Sequence, residues 1–334
     1  MPELRKDPVL GRWIIISKER QKRPTDFFVD EPAVLGGFCP LCSGNESSTP
    51  SEVLAFRSNP EAVANNPDWQ VRVVPNKYPA LRIEGELGKE GEGLYDRMNG
   101  IGAHEVIIEC PGHENLLWDL PVDHVSLVFR AYRDRLKDLE KDSRFRYVMI
   151  FKNHGKAAGA SLEHSHSQLI ALPVLPRMIV SELSGAKSYY RYKDRCIFCD
   201  IIRQETQQNV RVVCQNDSFI TIAPFAPRTP FEMWVLPKEH ASGFCSIDDH
   251  KLISLSQLFS ESLRRLNQCI PNVPYNFVLH TEPLRSGQLD HYHWHFEIVP
   301  KLTSIAGFEW GSGFYINPLP PEESAQYLRE SLDN

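Results

Sequence analysis

The stretch ASLEHSHSQLIALP, residues 160–173, sets His164, His166 and Gln168 at alternate positions and then runs into apolar residues. Side chains two apart on a strand share one face, roughly 6–7 Å from one to the next. The alternation predicts a strand over 165–172 whose polar face could clamp a metal, act on a substrate, or merely meet solvent. Taken alone, the row reads as a solvated strand face as readily as a reactive one. The preceding loop, Asn153-His154-Gly155 through Gly159-Ala160-Ser161, adds small residues and donors that let backbone approach a phosphate closely.

Working outward, the same order of features occurs twice: CxxC, a strand ending in histidine, a long amphipathic helix, a strand, then His-x-His. His113 to His164 is 164 − 113 = 51 residues, and His240 to His291 is 291 − 240 = 51. Glu105 lies eight residues before His113, and Glu232 eight before His240. Between the paired histidines, Val125, Leu127, Val128, Tyr132, Leu136 and Leu139 fall at mostly helical intervals within 121–141. Leu252, Leu255, Leu258, Phe259 and Leu263 do the same within 247–268, where Ser246 offers a cap and Asp248 and Asp249 a favourable first turn. Strands are predicted at 147–151, 165–172, 276–279 and 292–299. Each repeat is then an α+β unit, an antiparallel sheet with a helix packed on one face. The boundary falls near 173–195, a proline- and charge-bearing stretch that reads as a linker, giving units over 1–180 and 181–334.

A chain of 334 residues suits two domains better than one core. With a net charge of −6 and a pI near 6.1, it gives no electrostatic case for nucleic acid or an anionic membrane as the main partner. The opening MPELRKDPVLGRW lacks the apolar core of a secretory signal, and no apolar run approaches the roughly 18 residues of a membrane span. The expectation is a cytoplasmic protein whose eight cysteines form no disulfide framework. Cys110, Cys214, Cys245 and Cys269 stand alone and read as small core side chains.

The other four cysteines form Cys39-Pro-Leu-Cys42 and Cys196-Ile-Phe-Cys199. Zinc takes four N or S ligands in a tetrahedron, and one CxxC turn supplies two thiolates. A distant histidine and the first histidine of each His-x-His complete the sets Cys39, Cys42, His113, His164 and Cys196, Cys199, His240, His291. Such closed sites hold a fold and leave no position for substrate. A redox CxxC is the competing reading, weakened in the first copy by Pro40 and the absence of a following helical pattern. At the second copy His280, His293 and His295 compete for a metal, with a carboxylate such as Glu182.

If His164 faces zinc, His166 is held beside a rigid anchor. Its imidazole, mostly neutral at pH 7, has a nitrogen able to attack the α-phosphorus of a nucleotide, and Gln168 can donate to a phosphoryl oxygen. The second copy lacks the set. Counting back 11 residues from the first histidine reaches Asn153 in one half and His280 in the other, and His295 stands for Gln168. One half is expected to be catalytic and the other degenerate.

On these residues the chain resembles the galactose-1-phosphate uridylyltransferase family of the histidine-triad superfamily, over nearly its full length. Asp7-Pro8, Gly11, Trp13 and Arg20-x-x-Arg23-Pro24 are similar to the family's amino-terminal signature. Val73-Val74-Pro75-Asn76-Lys77-Tyr78-Pro79 resembles its nucleoside-binding strand, 153–168 its active-site loop, and Gly307-Phe308-Glu309 its sugar-binding segment. The resemblance implies two tandem histidine-triad-like domains and ping-pong nucleotidyl transfer through His166. It places Gln168, Asn153 and Ser161 on the phosphates, Asn76 at the nucleoside and Glu309 on sugar hydroxyls. It also implies one or two structural zinc ions per chain and a homodimer in which Arg20 and Arg23 reach the neighbouring site. Read without it, Arg20 and Arg23 are a solvated basic run and Asn76 a turn residue.

Many uridylyltransferases carry His-Pro-His-Gly-Gln, whereas Ser165 and Ser167 make this row His-Ser-His-Ser-Gln. That version, with Gly311-Ser312-Gly313-Phe314-Tyr315-Ile316-Asn317, is similar to relatives that act as ADP-glucose phosphorylases. The expected activity is exchange of UMP between UDP-glucose and galactose 1-phosphate. Adenylyl transfer from ADP-glucose to phosphate is the alternative, and nucleotide binding without turnover the reading from another class.

Overall fold

The computed structural model describes residues 1–17, 23–27, 37–59, 61–113 and 115–332. Arg20 lies outside them. Two short strands open the chain, β1 (Glu3–Lys6) and β2 (Trp13–Ile16), followed by β3 (Leu54–Phe56), β4 (Val71–Pro75), the hairpin β5 (Glu90–Glu92) and β6 (Tyr95–Arg97), and β7 (Ala103–Ile108). Then come α1 (Val122–Leu139), β8 (Tyr147–His154), β9 (His166–Leu172) and α2 (Arg177–Lys193). The second copy supplies α3 (Ile197–Gln208), β10 (Val212–Gln215), β11 (Phe219–Ile222), β12 (Met233–Pro237), α4 (Asp249–Cys269), β13 (Tyr275–His280) and β14 (His295–Pro300). The chain closes with α5 (Gly307–Ser312), β15 (Tyr315–Asn317) and α6 (Pro321–Glu330).

The two copies share one antiparallel ten-stranded sheet, ordered β10-β11-β12-β14-β13-β8-β9-β7-β4-β3. They join edge to edge where β13 pairs with β8, Asn276 opposite Asn153. Pairing two edges satisfies backbone groups that would otherwise remain exposed. The boundary stretch is no linker: α2 runs through it, across 180 and 181. Its mid-helix Gly185 has a packing reason, since an added Cβ would stand 1.9 Å from the Val9 carbonyl oxygen. The ends of the chain also meet, β15 pairing parallel with β2.

Helices α1 and α4 cover one face of the sheet. The predicted stripes meet the inward residues of the strands, with Phe129 at 5.2 Å from Phe259 and Phe259 at 5.0 Å from Phe296, ring centroid to centroid. Each buried phenylalanine contributes about 1.5–3 kcal/mol. The cap of α4 is Asp248, which accepts from the Lys251 N–H at 2.8 Å, rather than Ser246, which closes a preceding 3-10 turn.

Alternation along the strands sends the other side chains to the opposite face. Leu169 and Ala171 enter the helix-covered core, which puts Ser167 on that side and His166 and Gln168 on the other. Over the second copy this opposite face is roofed by α2 and α3, whose Ala186, Ile197, Phe198 and Ile202 pack on Ile220, Ile222 and Trp234. Over the first copy a smaller cluster of Cys39, Leu41, Trp69, Val74 and Ile108 covers only part of it.

Candidate active site and metal clusters

Four predicted ligands come together in the first copy. The Cys42 Sγ lies 3.5 Å from both His113 Nδ1 and His164 Nδ1, and Cys39 Sγ 3.7 Å from His164 Nδ1. Bonds of about 2.0–2.3 Å from a central zinc give tetrahedral edges of roughly 3.3–3.8 Å, so the set fits that ion. His164 Nε2 donates to the Cys110 carbonyl at 2.8 Å, which turns the Nδ1 lone pair toward the thiols.

The second cluster differs from its expected membership. Cys196, Cys199 and His240 are joined by His293, not His291: Cys199 Sγ stands 3.4 Å from His240 Nδ1 and 3.7 Å from His293 Nδ1. His293 Nε2 donates to the Pro237 carbonyl at 2.8 Å, as His164 does to Cys110. His291-Tyr-His293-Trp-His295 offers two His-x-His readings, and the equal 51-residue intervals select the wrong one because the β13–β14 connection, 281–294, is longer than the β8–β9 connection, 155–165.

Sheet register keeps His280 as the counterpart of Asn153 and corrects the place given to His295. Gln168 pairs with Val106 and Phe151, and Glu297 with Trp234 and Val278. Glu297, not His295, therefore stands for Gln168. Stepping two residues along each strand makes His295 the counterpart of His166, Glu232 of His104, and His280 of Asn153. A third group, Glu182, His280 and His295, gathers behind them. Glu182 accepts from His280 Nδ1 at 2.8 Å and lies 3.4 Å from His295 Nε2. Burial alone would depress the His280 pKa, but Glu182 and Glu297 outweigh it and hold it up at about 10. The competing ligand set is thus divided, His293 going to the cysteines and the other two histidines to Glu182.

His166 opens β9, buried and oriented. Its Nδ1–H donates to the His164 carbonyl at 2.7 Å, so the lone pair resides on Nε2. Burial, reinforced by the Lys152 ammonium, holds its pKa below the usual histidine range and keeps the ring neutral. Gln168 is fixed in turn. The Ala80 N–H donates to His104 Nδ1 at 3.1 Å, which puts the imidazole proton on Nε2, where it is donated to Gln168 Oε1 at 2.9 Å. The Gln168 NH₂ is left as the outward donor. Asn76 Nδ2 lies 3.1 Å from the same His104 nitrogen. Asn153 Oδ1 accepts from Asn276 Nδ2 at 2.8 Å, turning its own NH₂ the other way. The loop between holds Gly155 and Gly159 at φ 79° and 86°, a region costly to residues with a Cβ, and at Gly155 a Cβ would also meet Pro274 at 2.9 Å.

Beneath the row lies a group that sequence reasoning missed. Lys152 Nζ donates to Glu109 at 2.6 Å, to Ser165 Oγ at 3.0 Å and to the His166 carbonyl at 3.0 Å, all buried. Ser165 Oγ donates to Glu109 at 2.6 Å, and Tyr132 OH to Ser167 Oγ at 2.7 Å. The two serines are therefore buried links in a polar network. Burial would raise the Glu109 pKa, but Lys152 and Ser165 overcome it and keep the carboxylate charged. His104, Glu109, Lys152 and Asn276 gave no signal in the sequence, and Tyr132 only that of the α1 stripe, since each acts across elements far apart in the chain.

The remaining candidates stand apart. Among the described residues no hydrogen bond joins Arg23, Ser161 or Glu309 to the His166 cluster. Arg23 is exposed, with its backbone N–H donating to Asp26. Glu309 accepts from the Ala306 N–H at 3.0 Å at the start of α5.

Comparison with known proteins supplies the family. The family described as galactose-1-phosphate uridyl transferase, N-terminal domain, matches residues 1–176, and a domain of unknown function matches 119–334. An ADP-glucose phosphorylase of Arabidopsis thaliana is 38% identical over 336 residues, 98% of this chain and 93% of its own. A galactose-1-phosphate uridylyltransferase of Thermotoga maritima is 27% identical, with 99% of each chain covered. Among solved structures, the Arabidopsis ADP-glucose phosphorylase with bound ADP-glucose superposes with a TM-score of 0.84 at 36% identity, covering 99% of this chain and 98% of that one. A uridylyltransferase superposes at 0.77 and 30%, covering 100% and 99%. Fold, site and relatives define the class as nucleotidyltransferase. The chain belongs to the galactose-1-phosphate uridylyltransferase family. Among the described residues no helix is long and apolar enough to cross a membrane.

Proposed function

We propose that the protein exchanges UMP between UDP-hexose and hexose 1-phosphate, from UDP-glucose to galactose 1-phosphate, through a nucleotidyl-histidine at His166. The observation that carries this is the 2.7 Å bond from His166 Nδ1 to the His164 carbonyl, which frees a neutral Nε2 for attack. In the first half-reaction Nε2 bonds to the α-phosphorus and the bond from that phosphorus to the bridging oxygen breaks, releasing glucose 1-phosphate. In the second, a phosphate oxygen of galactose 1-phosphate attacks the same phosphorus and the P–N bond returns its electrons to Nε2. The Gln168 and Asn153 amides donate to the nonbridging oxygens as charge spreads over them, with Ser161 at the loop edge. Asn76 takes the nucleoside side of the cleft and Glu309 the sugar.

Zinc in the clusters Cys39, Cys42, His113, His164 and Cys196, Cys199, His240, His293 would supply cross-links and no chemistry. At the first, the chain's own contribution is to hold His164, whose carbonyl orients His166. Arg20 and Arg23 would reach the neighbouring site of a homodimer, a reading supported by the exposure of Arg23 and of Trp310, the latter 80% exposed.

A second reading, adenylyl transfer from ADP-glucose to phosphate, is favoured by the 38% identity to a phosphorylase and by the serines at 165 and 167. Intact-mass measurement after brief exposure to UDP-glucose and, separately, ADP-glucose tests both. A UMP adduct lost in His166→Ala supports the first reading and an AMP adduct the second, while an adduct that survives the substitution overturns the mechanism.

A further inference from the structure

We propose that Lys152 and Glu109 are positioning residues for the proposed nucleophile, holding the two peptide groups that flank the His166 Cα; this rests on the reading of His166 as the group that carries nucleotide. The sheet register shows why such support is needed. Just before β9, the Ser165 carbonyl accepts from the Glu109 N–H at 3.2 Å, on the β7 side. Successive carbonyls along a strand turn to opposite neighbours, so the His166 carbonyl turns toward β8. The β8–β9 ladder has ended before that point, at Phe151 opposite Gln168, and β8 runs on against β13 alone, with Asn153 opposite Asn276. The carbonyl of the reactive residue therefore faces the place where the sheet splits. A buried acceptor left unmade there is costly. Lys152 Nζ takes the place of the missing strand N–H, donating to that carbonyl at 3.0 Å.

One ion pair thus reaches both sides of the His166 Cα. The Glu109 backbone holds the peptide group before it, the Lys152 ammonium holds the one after it, and the 2.6 Å bond between their side chains ties the two together. Each hydrogen of the ammonium has an acceptor, in Glu109, Ser165 Oγ and the His166 carbonyl. With the backbone held, the bond from Nδ1 to the His164 carbonyl sets the ring and the direction of Nε2. Lys152 and Glu109 are 2% and 0% exposed, so both act through His166 and not on substrate. Stability gives a weak reason for the pair, because apolar residues of similar volume often replace a buried ion pair without loss. What an apolar pair lacks is the donor to the carbonyl. A reacting atom displaced by about 1 Å can lose on the order of 10²-fold in rate, so that donor bears on chemistry.

The double variant Lys152→Met with Glu109→Leu separates positioning from stability. Single-turnover formation of the His166 adduct is followed by rapid quench and intact mass over a range of UDP-glucose, or of ADP-glucose if that alone gives an adduct. The expected saturating rate is at least tenfold below that of the unaltered protein, with half-saturation within about threefold, although urea unfolding shows much of the stability lost in Lys152→Met restored. Lys152→Gln with Glu109→Gln serves if the apolar pair fails to fold, and the same fall in rate is expected because the glutamine amide stops one bond short of the carbonyl. A folded double variant with an unaltered saturating rate would overturn this proposal alone, as would a loss confined to half-saturation. Absence of any adduct in the unaltered protein would overturn the transfer mechanism and this proposal with it.

Discussion

The two copies share a sheet register and a cysteine–histidine cluster, yet the faces those clusters border have diverged. In the first copy His166 is flanked by two amides and an imidazole, at Gln168, Asn153 and His104, under a glycine loop. In the second, the same positions hold His295, Glu297, His280 and Glu232, with Arg228 paired to both carboxylates and α2 and α3 closing over them. The amides of the first copy keep donors free for a dianionic substrate, whereas the corresponding groups of the second copy are paired with one another through Arg228, His280 and Glu182. The fold alone therefore does not place the chemistry; the pairing of those side chains does.

The largest expected effect separates the copies directly. His166→Asn should lower turnover on the order of 10⁴-fold or more in steady-state assays, because the proposed mechanism carries the nucleotide on that ring. His295→Asn should cost stability in a denaturant melt, by leaving Glu182 less well paired, while the adduct per folded chain stays within about threefold. A loss of adduct equal to that of His166→Asn would erase the distinction between the halves.

Next is the buried network beneath the row. Lys152→Met should destabilise the protein by about 3–5 kcal/mol in urea unfolding, since it strands Glu109 as an unpaired buried charge. Adding Glu109→Leu should recover much of that loss, and a purely additive double mutant would contradict the coupling.

The corrected metal set gives a prediction read by elemental analysis. With about two zinc ions per chain expected, His293→Ala should reduce the content to about one, and His291→Ala should leave it unchanged. The reverse pattern would restore the reading based on equal spacing.

A smaller effect concerns acid. Burial between Trp118 and Tyr275, with Lys152 nearby, pushes the His154 pKa down to about 4 from an ordinary value near 6.5. The unfolded chain then binds the extra proton in that window, so stability is full above about pH 6.5 and falls as pH drops toward 4. Replacing His154 with Gln should flatten that slope in chemical denaturation across the window, and an unchanged slope would place the acid sensitivity elsewhere.

Much of this architecture is readable from spacing. The α1 and α4 stripes, strands read at 147–151, 165–172 and 276–279 and observed at 147–154, 166–172 and 275–280, and all four members of the first cluster follow from periodicity and the repeat. What failed did so for physical reasons. Equal spacing favours His291 because the longer β13–β14 connection stretches the ligand interval to 293 − 240 = 53 residues, while His291 happens to stand at 51. The α2 segment reads as a linker because its prolines and charges stand out, while only Ile179, Glu182 and Ala186 within the helix are buried. Lys152, Glu109 and the serines were invisible because a buried charge announces itself only through its partner, here 43 residues away. That the two sheets merge at β8 and β13 has no local signal at all.

If nucleotide is carried on the first copy's histidine, peptide mapping of the phosphoramidate formed with a radiolabelled nucleotide sugar will locate it. The expected result is label on the peptide containing His166, absent in His166→Ala and retained in His295→Ala. Label on the peptide containing His293 and His295, or label that survives loss of His166, would contradict it.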